Sequence, residues 1–412
     1  KNTHTHTHIK NTHSTMLSSS STSLLCSVAR PLSRNVSAAR QLATLTAEPP
    51  ASGSSSPVFT TYPAEYLREF TEKVFVKHGI SPENAAIAAG VLSMSDLRGV
   101  DSHGVARLKT YHELLKVGRI NPTPNIRVVR ESPSTATVDG DNGLGLLVHH
   151  FGNEVAMKKA AEVGSGWVSA GNTNHYGIAA YGPVLAAQRG LIGISMTNTT
   201  RLVAPVPSEE PMLGTNPIAI SFPGHKKPVV IDFATSAVAW GKVEIARRNR
   251  KKIPDGWGVD EHGHMTNDPE KVKSLLPLGS FTGTSVHKGY CLGAMVDGLC
   301  CFLSGANWGP FAPPFTLGIP PSERGSVGKG IGHFFGALRV DAFIDEDEFR
   351  TQVDHYREVF LGAHTADGNT MVFPGDPEDE SYARRSNHGV PLVCDVVRDL
   401  REIATQLQIT FD

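Results

Sequence analysis

The chain has 412 residues, of which 39 are basic and 40 are acidic. This length is enough to bury a large core and predicts a division into two lobes. The balanced charge argues against a nucleic-acid partner, and no apolar run is long enough to cross a membrane. The five cysteines are odd in number and lack C-x-x-C spacing, which favours a reducing compartment and argues against a zinc ribbon.

The N-terminal part of the chain differs from the rest in composition. Residues 1–15 alternate histidine with threonine and precede Met16; we interpret them as translated upstream sequence or a cloning remnant, outside the fold. Residues 16–57 are rich in serine and arginine, with no acidic residue before Glu48. This composition predicts an organelle transit peptide followed by a linker, and therefore the mitochondrial matrix; an ordinary leader of a cytoplasmic protein is the alternative.

Residues 58–131 have mainly helical spacing. They predict helices over 64–78, 85–97 and 102–118, with Ser81 as the cap and Pro82 as the first residue of the second helix. Two strands, 126–130 and 135–139, follow. Near the C-terminus, amphipathic helices are predicted over 345–361 and 389–408. We expect residues 341–412 to join residues 58–131 in a mainly helical lobe.

Residues 132–340 alternate between strands and helices, which predicts an α/β lobe. The expected strands are 166–170, 191–197, 218–222 and 229–233. The expected helices are 146–163, 178–188, 239–250 and 288–305. The Pro/Gly-rich segment 307–332 is predicted to be irregular.

The stretch Ser95 to Leu108 is the first candidate site. Gly99 can close one helix in the left-handed conformation, and Ser102 stands where the N-cap of the next belongs. His103 would then lie at the positive end of a helix dipole, which favours the neutral imidazole, and Arg107 one turn further on the same face. This pair could shuttle a proton at a carboxylated substrate, although the same spacing also occurs on an ordinary solvated helix face.

Four further segments place polar residues at the ends of predicted strands or the start of a helix. His175, in Gly-Asn-Thr-Asn-His-Tyr-Gly, follows a strand and is a candidate acid or base, or else a turn histidine. Thr199 could bind ribose or phosphate. Asp232 could hold a ribose hydroxyl or simply cap the next helix. Lys288 opens a helix, where an anion would bind, unless it is a surface lysine.

Several well-known motifs are missing. No G-x-G-x-x-G follows a strand, there is no phosphate-binding P-loop, and His112-Glu113 has no second histidine at the zincin spacing. No G-x-S-x-G elbow supports a nucleophilic serine. From the residues alone the chain is an α/β enzyme with two candidate histidines and an anion site, and its chemistry stays open.

Taken together, the motifs resemble the type-2 malate/L-lactate dehydrogenase family, which also holds ureidoglycolate and sulfolactate dehydrogenases, a diketogulonate reductase and a cyclic imine reductase. The resemblance is collinear from about Pro57 to the C-terminus. The motifs that carry it are Ser102-His-Gly-Val-Ala-Arg107, Asn172-Thr-Asn-His175-Tyr-Gly, Gly214-Thr-Asn-Pro217, Asp232-Phe-Ala, Trp240-Gly-Lys242 and Lys288-Gly-Tyr290.

The resemblance implies hydride transfer with NAD or NADP on a non-Rossmann fold, which fits the missing glycine fingerprint, and a homodimer. It implies acid/base positions at His103 and His175 without choosing between them, a positioning role for Ser102, and substrate carboxylate binding by Arg107. The cofactor positions that it implies are Thr199, Asp232, Phe233, Ala234, Lys288, and Pro374 and Gly375 in the loop Phe373 to Glu378.

Two segments depart from the family pattern. Pro205 to Glu209 replaces a usual double glycine, and Ser285 to His287 replaces the glycine before the lysine motif. The sequence therefore predicts a dehydrogenase that acts on a small 2-hydroxy or 2-oxo acid, and we expect this enzyme to need no metal. The alternatives are a cyclic imine reductase, a metal-dependent hydrolase with carboxylates from Glu154 and Asp232, and a binding protein without activity.

Overall fold

The computed structural model describes residues 59–248, 250–280 and 285–412. The described strands are, in chain order, β1 (Phe59–Tyr62), β2 (Arg127–Glu131), β3 (Thr135–Asp139), β4 (Ser165–Thr173), β5 (Leu191–Thr197), β6 (Ile218–Phe222), β7 (Val229–Phe233), β8 (Gly258–Val259), β9 (Ser274–Leu275), β10 (Ile331–Arg339) and β11 (Val390–Val393). The described helices are α1 (Ala64–Lys77), α2 (Pro82–Leu97), α3 (Leu108–Lys116), α4 (Gly145–Val163), α5 (Tyr181–Gln188), α6 (Trp240–Arg248), α7 (Val286–Cys301), α8 (Glu346–Leu361), α9 (Asp376–His388) and α10 (Cys394–Leu407).

Seven strands form one mixed sheet in the order β2-β3-β4-β10-β5-β6-β7. Strands β3 and β4 pair in parallel, and the other neighbours in this sheet are antiparallel. A doubly wound dinucleotide fold would have a mostly parallel sheet. The prediction of a mixed α/β fold is therefore confirmed, and the sheet is not of the Rossmann type.

The helix predicted from residue 102 becomes α-helical only at Leu108. Strands β10 and β11 were not predicted. The segment 307–330 is irregular as predicted, apart from a short 3-10 turn at Gly309–Phe311, but it leads into β10, which starts at Ile331 and pairs with both β4 and β5 at the centre of the sheet. The expected helix 389–408 begins instead with β11, which pairs with β1 from Tyr62 to Phe59, and becomes helical only at Cys394. In both cases the backbone bonds to a partner strand that lies far away in sequence, which local spacing does not reveal.

Helices cover both faces of the sheet. Successive side chains of a strand point to opposite faces, and Phe334 and Phe335 of β10 show which helix lies on which side. The ring of Phe335 lies against Gly152 of α4, where an added Cβ would be 2.4 Å away. Phe334 packs against a buried cluster that includes Val296 and Cys300 of α7.

The terminal helices go to different places. Helix α10 packs against α1 and α3, as expected for a lobe of N- and C-terminal segments. Helix α8 instead contacts the loop between β6 and β7, where the Arg350 guanidinium donates to the Gly224 carbonyl at 3.2 Å and the Asp354 carboxylate accepts from the Lys226 amide at 3.1 Å. The division into a lobe of residues 58–131 with 341–412 and a lobe of residues 132–340 stays a prediction.

The prediction of a leader and transit peptide concerns residues 1–57, which lie outside the described residues. Among the residues that are described, no helix has the length and apolarity needed to cross a bilayer.

Candidate active site

Residues 101–107, which we call the His103 turn, form two short 3-10 turns, Asp101–His103 and Val105–Arg107, between α2 and α3. Gly99 ends α2 with φ +78°, as predicted. The predicted cap by Ser102 is wrong, because its hydroxyl bonds to Nδ1 of His103 at 2.8 Å rather than to a helix amide. Short polar side chains often prefer such a local partner.

A buried carboxylate supports the His103 turn from below. Asp96 of α2 is only 3% exposed, and its Oδ2 accepts the Val105 amide at 2.9 Å. Burial raises the pKa of Asp96 to about 8. Gly104 lies directly over this carboxylate, since an added Cβ would come within 1.8 Å of Oδ1. The glycine of the Ser-His-Gly motif is therefore needed for close packing on Asp96.

His103 is held neutral, as predicted, but for a different reason. Burial, followed by the positive charge of Arg107, lowers the pKa of His103 to about 4. A three-residue turn has little dipole to contribute. The imidazole is thus neutral at physiological pH, with Nδ1 occupied by Ser102.

Arg107 folds back over the turn. Its Nε donates to the Ser102 carbonyl at 2.6 Å, which fixes the guanidinium next to His103. Among the described residues its two terminal nitrogens have no hydrogen-bond partner, and the residue is only half-buried. A fixed guanidinium with two open donors is suited to bind a carboxylate in two-point fashion.

His175 lies opposite the His103 turn, just beyond β4. Its ring stacks with that of His103, at 5.5 Å between ring centroids, and with that of Phe315, at 4.2 Å. Its Nδ1 is 2.7 Å from the hydroxyl of Tyr111 on α3. Burial, with the neighbouring charges of His103 and Arg107, lowers the pKa of His175 well below its ordinary value. The structure therefore brings both candidate histidines and Arg107 together.

Two contributors to this site were missed by the sequence argument. Tyr111 follows Arg107 by four residues, as Arg107 follows His103, so helical spacing was a signal for it. Phe315 lies in the Pro/Gly-rich segment, where its amide donates to the Thr200 hydroxyl at 2.9 Å, and no pattern in the sequence pointed to it.

A buried polar network lies beneath the His175 loop. Nδ1 of His149 bonds to the Tyr176 carbonyl at 3.0 Å, and Nε2 is 3.2 Å from the Ser195 hydroxyl. The two ring nitrogens of His333 bond to threonines on neighbouring strands: Nδ1 to Thr197 of β5 at 2.7 Å, and Nε2 to Thr173 of β4 at 3.2 Å. Because these side chains are fully enclosed, they fix the backbone on which His175 is mounted.

This network predicts a pH dependence of stability. Burial lowers the pKa of His149 to about 3 in the folded state, against about 6.5 when unfolded. Between these values the unfolded chain binds the extra proton, so the contribution of His149 is complete above pH 6.5 and is lost as the pH falls. We expect the difference in unfolding free energy between wild type and His149→Gln to shrink by up to about 1.4 kcal/mol per pH unit below 6.5.

Urea unfolding at several pH values measures this difference. Asp96 and Asp232, whose pKa values are raised, change the unfolding free energy with pH in the opposite direction. Their contributions are the same in both proteins, so they cancel in the difference. Replacing the exposed His388 with glutamine is the control and should leave the slope unchanged. A difference between wild type and His149→Gln that is constant from pH 7.5 to 5 would contradict the prediction.

Asp232 lies at the end of β7, close to the His175 loop. One carboxylate oxygen accepts the Ala180 amide, at the start of α5, at 2.9 Å. Burial raises the pKa of Asp232 to about 6, yet the residue keeps an exposed surface. Because Asp232 is exposed to solvent, solvent weakens this rise of its pKa. Asp232 thus bonds to the start of a helix, as one of its two predicted roles required, but this helix is α5 and not α6, which follows it in the chain.

Thr199 lies beside the Gly-Thr-Asn-Pro turn. Its hydroxyl accepts the Thr215 amide at 3.1 Å, and its own amide donates to the Asn216 side chain at 3.2 Å. Gly214 packs so closely that an added Cβ would be 2.2 Å from the Thr199 hydroxyl. Asn216 in turn donates to the Gly293 carbonyl of α7 at 2.9 Å. Thr199 is therefore fixed between β5 and α7.

The remaining cofactor candidates divide into two groups. Gly375, with φ +91°, lies on β7, since an added Cβ would be 2.7 Å from the Val230 carbonyl. The 373–378 loop, which includes Pro374, is therefore close to Asp232, and so are its chain neighbours Phe233, which is 37% exposed, and Ala234. Lys288 is exposed in the first turn of α7. Among the described residues, no side-chain contact joins Lys288 to the other candidates.

The carboxylates proposed for a hydrolase do not form a shared site. Glu154 pairs with Arg189 at 2.6 Å, and Asp232 caps α5. Within the described ranges, no group of three or more His, Cys, Asp or Glu side chains is arranged to hold a metal ion.

A family model described as malate/L-lactate dehydrogenase matches residues 62–401. The chain belongs to the malate/L-lactate dehydrogenase family. It is 41% identical to the malate dehydrogenase of Pyrococcus horikoshii over 352 residues, which cover 84% of this chain and 95% of that protein.

The family's solved structures are also similar. The sulfolactate dehydrogenase of Methanocaldococcus jannaschii has a TM-score of 0.77 at 36% identity, covering 85% of this chain and 98% of that one. A malate dehydrogenase of Entamoeba histolytica has a TM-score of 0.78 at 31% identity, covering 86% and 99%.

Membership of the malate/L-lactate dehydrogenase family confirms the resemblance and the enzyme class. The chain is a hydroxy acid dehydrogenase, a class that acts on small molecules with a nicotinamide cofactor. The fold agrees, since the relatives match nearly over their whole length.

Proposed function

We propose that this dehydrogenase interconverts a small 2-hydroxy acid and the corresponding 2-oxo acid. The observation that carries the proposal is the group formed by His103, His175 and Tyr111 next to the open donors of Arg107. It combines a neutral imidazole, a partner for that imidazole and a cation for a carboxylate within one site.

The end of β7 offers groups that a dinucleotide can use. Asp232 is exposed, with one oxygen unpaired among the described residues. Phe233 offers an exposed ring, and Thr199 is partly exposed. We propose that these residues hold NAD or NADP together with Ala234, Lys288, Pro374 and Gly375. When bound, the dinucleotide supplies the acceptor or donor of hydride for carbon 2 of the substrate.

We propose His175 as the group that moves the proton. The Tyr111 hydroxyl lies 2.7 Å from Nδ1 and 3.3 Å from the carbonyl of the same histidine. When it donates to the carbonyl, it can accept the Nδ1 proton, which leaves the lone pair of Nε2 free to take the substrate's hydroxyl proton. The Gly177 amide is also directed at Nδ1, but at 3.4 Å this bond is long and weak. Burial raises the pKa of Tyr111, so the phenol keeps its proton throughout.

His103 and Arg107 then position the substrate. The Ser102 hydroxyl bonds to Nδ1 of His103, and the Ser102 carbonyl accepts a hydrogen bond from Nε of Arg107. Nε2 of the imidazole and the terminal guanidinium nitrogens therefore remain available to the substrate. Two groups fixed in this way would hold the carboxylate with carbon 2 next to His175, and such positioning supplies much of the rate.

The test is a panel of 2-oxo acids assayed with NADH and with NADPH. It contains oxaloacetate, pyruvate, sulfopyruvate and a cyclic imine carboxylate. We expect turnover with at least one 2-oxo acid and no loss in EDTA. Turnover of the imine alone would replace this proposal with an imine reductase. Quenching of NADH fluorescence without any turnover would indicate a binding protein, and hydrolysis that EDTA abolishes would indicate a hydrolase.

Two further expectations stay predictions. A homodimer can be checked by sedimentation. Mitochondrial import depends on residues 16–57, and the archaeal relative reported above gives it no support. Fusion of residues 16–57 to a fluorescent protein would test import directly, since a cytoplasmic signal would contradict it.

A further inference from the structure

Helix α9 touches both halves of the site. It begins at Asp376, directly after Gly375 beside β7, so residues 376–378 of the predicted loop are helical, and it packs on the end of α2, just before the His103 turn. We propose that Arg385 of α9 is a positioning residue, which holds the His103 turn at a fixed position relative to the proposed cofactor residues at the end of β7, called the cofactor side below. The inference rests on the proposed function for its kinetic consequences, but the contacts themselves do not depend on it.

Arg385 is bonded to the first residue of the His103 turn and to the helix that precedes the turn. Arg385 is 7% exposed. Nη1 donates to the Asp96 backbone carbonyl at 2.6 Å, and both terminal nitrogens contact the Asp101 carboxylate, Nη2 at 3.3 Å. Asp101 opens the turn, and Asp96 supports its second half through the Val105 amide. One guanidinium therefore fixes the beginning and the support of the segment that carries His103 and Arg107.

A second set of contacts holds α9 against α2. Arg98, also 7% exposed, pairs with Asp379 at 3.1 Å. Gly99 packs on Ser381, where an added Cβ would be 2.6 Å from the hydroxyl. The two helices are thus also in direct contact in the turns of α9 that precede Arg385.

The start of α9 is tied to the cofactor side. Asp376 accepts from Lys227 at 2.6 Å and from Arg357 at 2.8 Å, and Lys227 also reaches Asp379 at 3.0 Å. Lys227 lies two residues before β7, and Gly375 packs on that strand. Helix α9 therefore connects β7, the strand that carries Asp232, to the His103 turn.

The contact between α2 and α9 buries polar atoms that do not contribute to the stability of the fold. Seven buried side-chain polar atoms of the described residues have no hydrogen-bond partner, and three of them lie here: Nε of Arg98, Nε of Arg385 and the Ser381 hydroxyl. Such atoms lower stability. An apolar contact between α2 and α9 would be more stable, but it would lack the directional bonds that set the position of the turn.

The experiment compares Arg385→Ala and Arg385→Lys with Arg384→Ala. Arg384 is the exposed neighbour on the same helix, and its side chain makes no hydrogen bond or ion pair among the described residues. We expect Arg385→Ala to lower kcat/KM for the 2-oxo acid by about 10²-fold, because small displacements of catalytic groups are costly, while NADH affinity, measured by fluorescence, is unchanged. Lysine should restore part of the loss, and Arg384→Ala should match wild type.

Hydrogen exchange of the peptide covering residues 98–108 provides a readout that needs no substrate. The Val105 amide, bonded to buried Asp96, should exchange faster in Arg385→Ala than in wild type or Arg384→Ala. Unchanged exchange together with unchanged kinetics would overturn the proposal, and so would an equal loss in Arg384→Ala. If wild type turned over no 2-oxo acid, the proposed function would fail while this exchange comparison still decided the role of Arg385.

A milder variant protects the test against misfolding. Asp101 is 57% exposed, so Asp101→Asn should fold even if Arg385→Ala does not. It removes the charge at the start of the turn and keeps the bond from Arg385 to Asp96. We expect the same pattern of lower kcat/KM at unchanged NADH affinity; wild-type values would overturn the proposal.

Discussion

Replacement of His175 with alanine is expected to lower kcat by about 10²–10⁴-fold, the usual contribution of a general acid or base. His103→Ala should mainly raise KM. The difference follows from their partners, since Nδ1 of His175 faces the Tyr111 hydroxyl, which can adjust to either protonation state, while Nδ1 of His103 is bound to Ser102. Steady-state kinetics with the best substrate of the panel measures both parameters.

Two further variants sharpen this comparison. Tyr111→Phe keeps the ring and removes the hydroxyl, so it should lower kcat in the same direction as His175→Ala but by less. His388→Ala removes an exposed histidine of α9 and should behave as wild type. If His103→Ala lost turnover and His175→Ala only bound substrate more weakly, the two roles would be reversed. If both turned over as wild type does, the proton-transfer scheme would be wrong.

The second large effect is expected at Arg107. Arg107→Ala should lower kcat/KM for carboxylate substrates by roughly 30- to 5,000-fold, which corresponds to about 2–5 kcal/mol for loss of one partner of a buried charge pair. Arg107→Lys should recover little, because an ammonium group cannot reproduce two parallel bonds to a carboxylate. The exposed Arg130 on β2 provides the control, as Arg130→Ala.

The corresponding 2-oxo amide separates carboxylate binding from a general loss of structure. Wild type should prefer the acid strongly over the amide, and Arg107→Ala should lose most of that preference because the charge partner is gone. A variant that became poorer with the acid and the amide by the same factor would show that Arg107 supports the turn and does not bind the carboxylate.

The sequence was most informative where function depends on local spacing. His103 and Arg107 are four residues apart, and they stay on one side of the turn although the segment is not the helix that was predicted. The left-handed glycine at position 99 was predicted correctly because only the local backbone decides it. The same reasoning misplaced the Ser102 hydroxyl, since a bond to the adjacent imidazole is as local as a helix cap and no pattern distinguishes the two.

Features that depend on distant partners could not be read from the sequence. The position of His175 against His103 results from the pairing of β4 in the sheet and from the packing of α3. Phe315 reaches His175 from a segment without periodicity, and Arg385 meets Asp101 across 284 residues. The cause of the lowered His103 pKa was also missed, because burial is a property of the assembled site and the spacing suggested a dipole.

The central position of β10 affects how this sheet is completed during synthesis. Strands β4 and β5 follow one another in the chain, yet they do not pair; each bonds to β10, whose first residue is Ile331. Until that segment leaves the ribosome, the sheet consists of two three-stranded halves with open edges. Open edges favour pairing with other chains, and closing them late requires contacts of long sequence separation, which form slowly. A nascent chain that stalls before β10 therefore exposes both edges, and the sheet is complete only once a strand from the last fifth of the chain has been made.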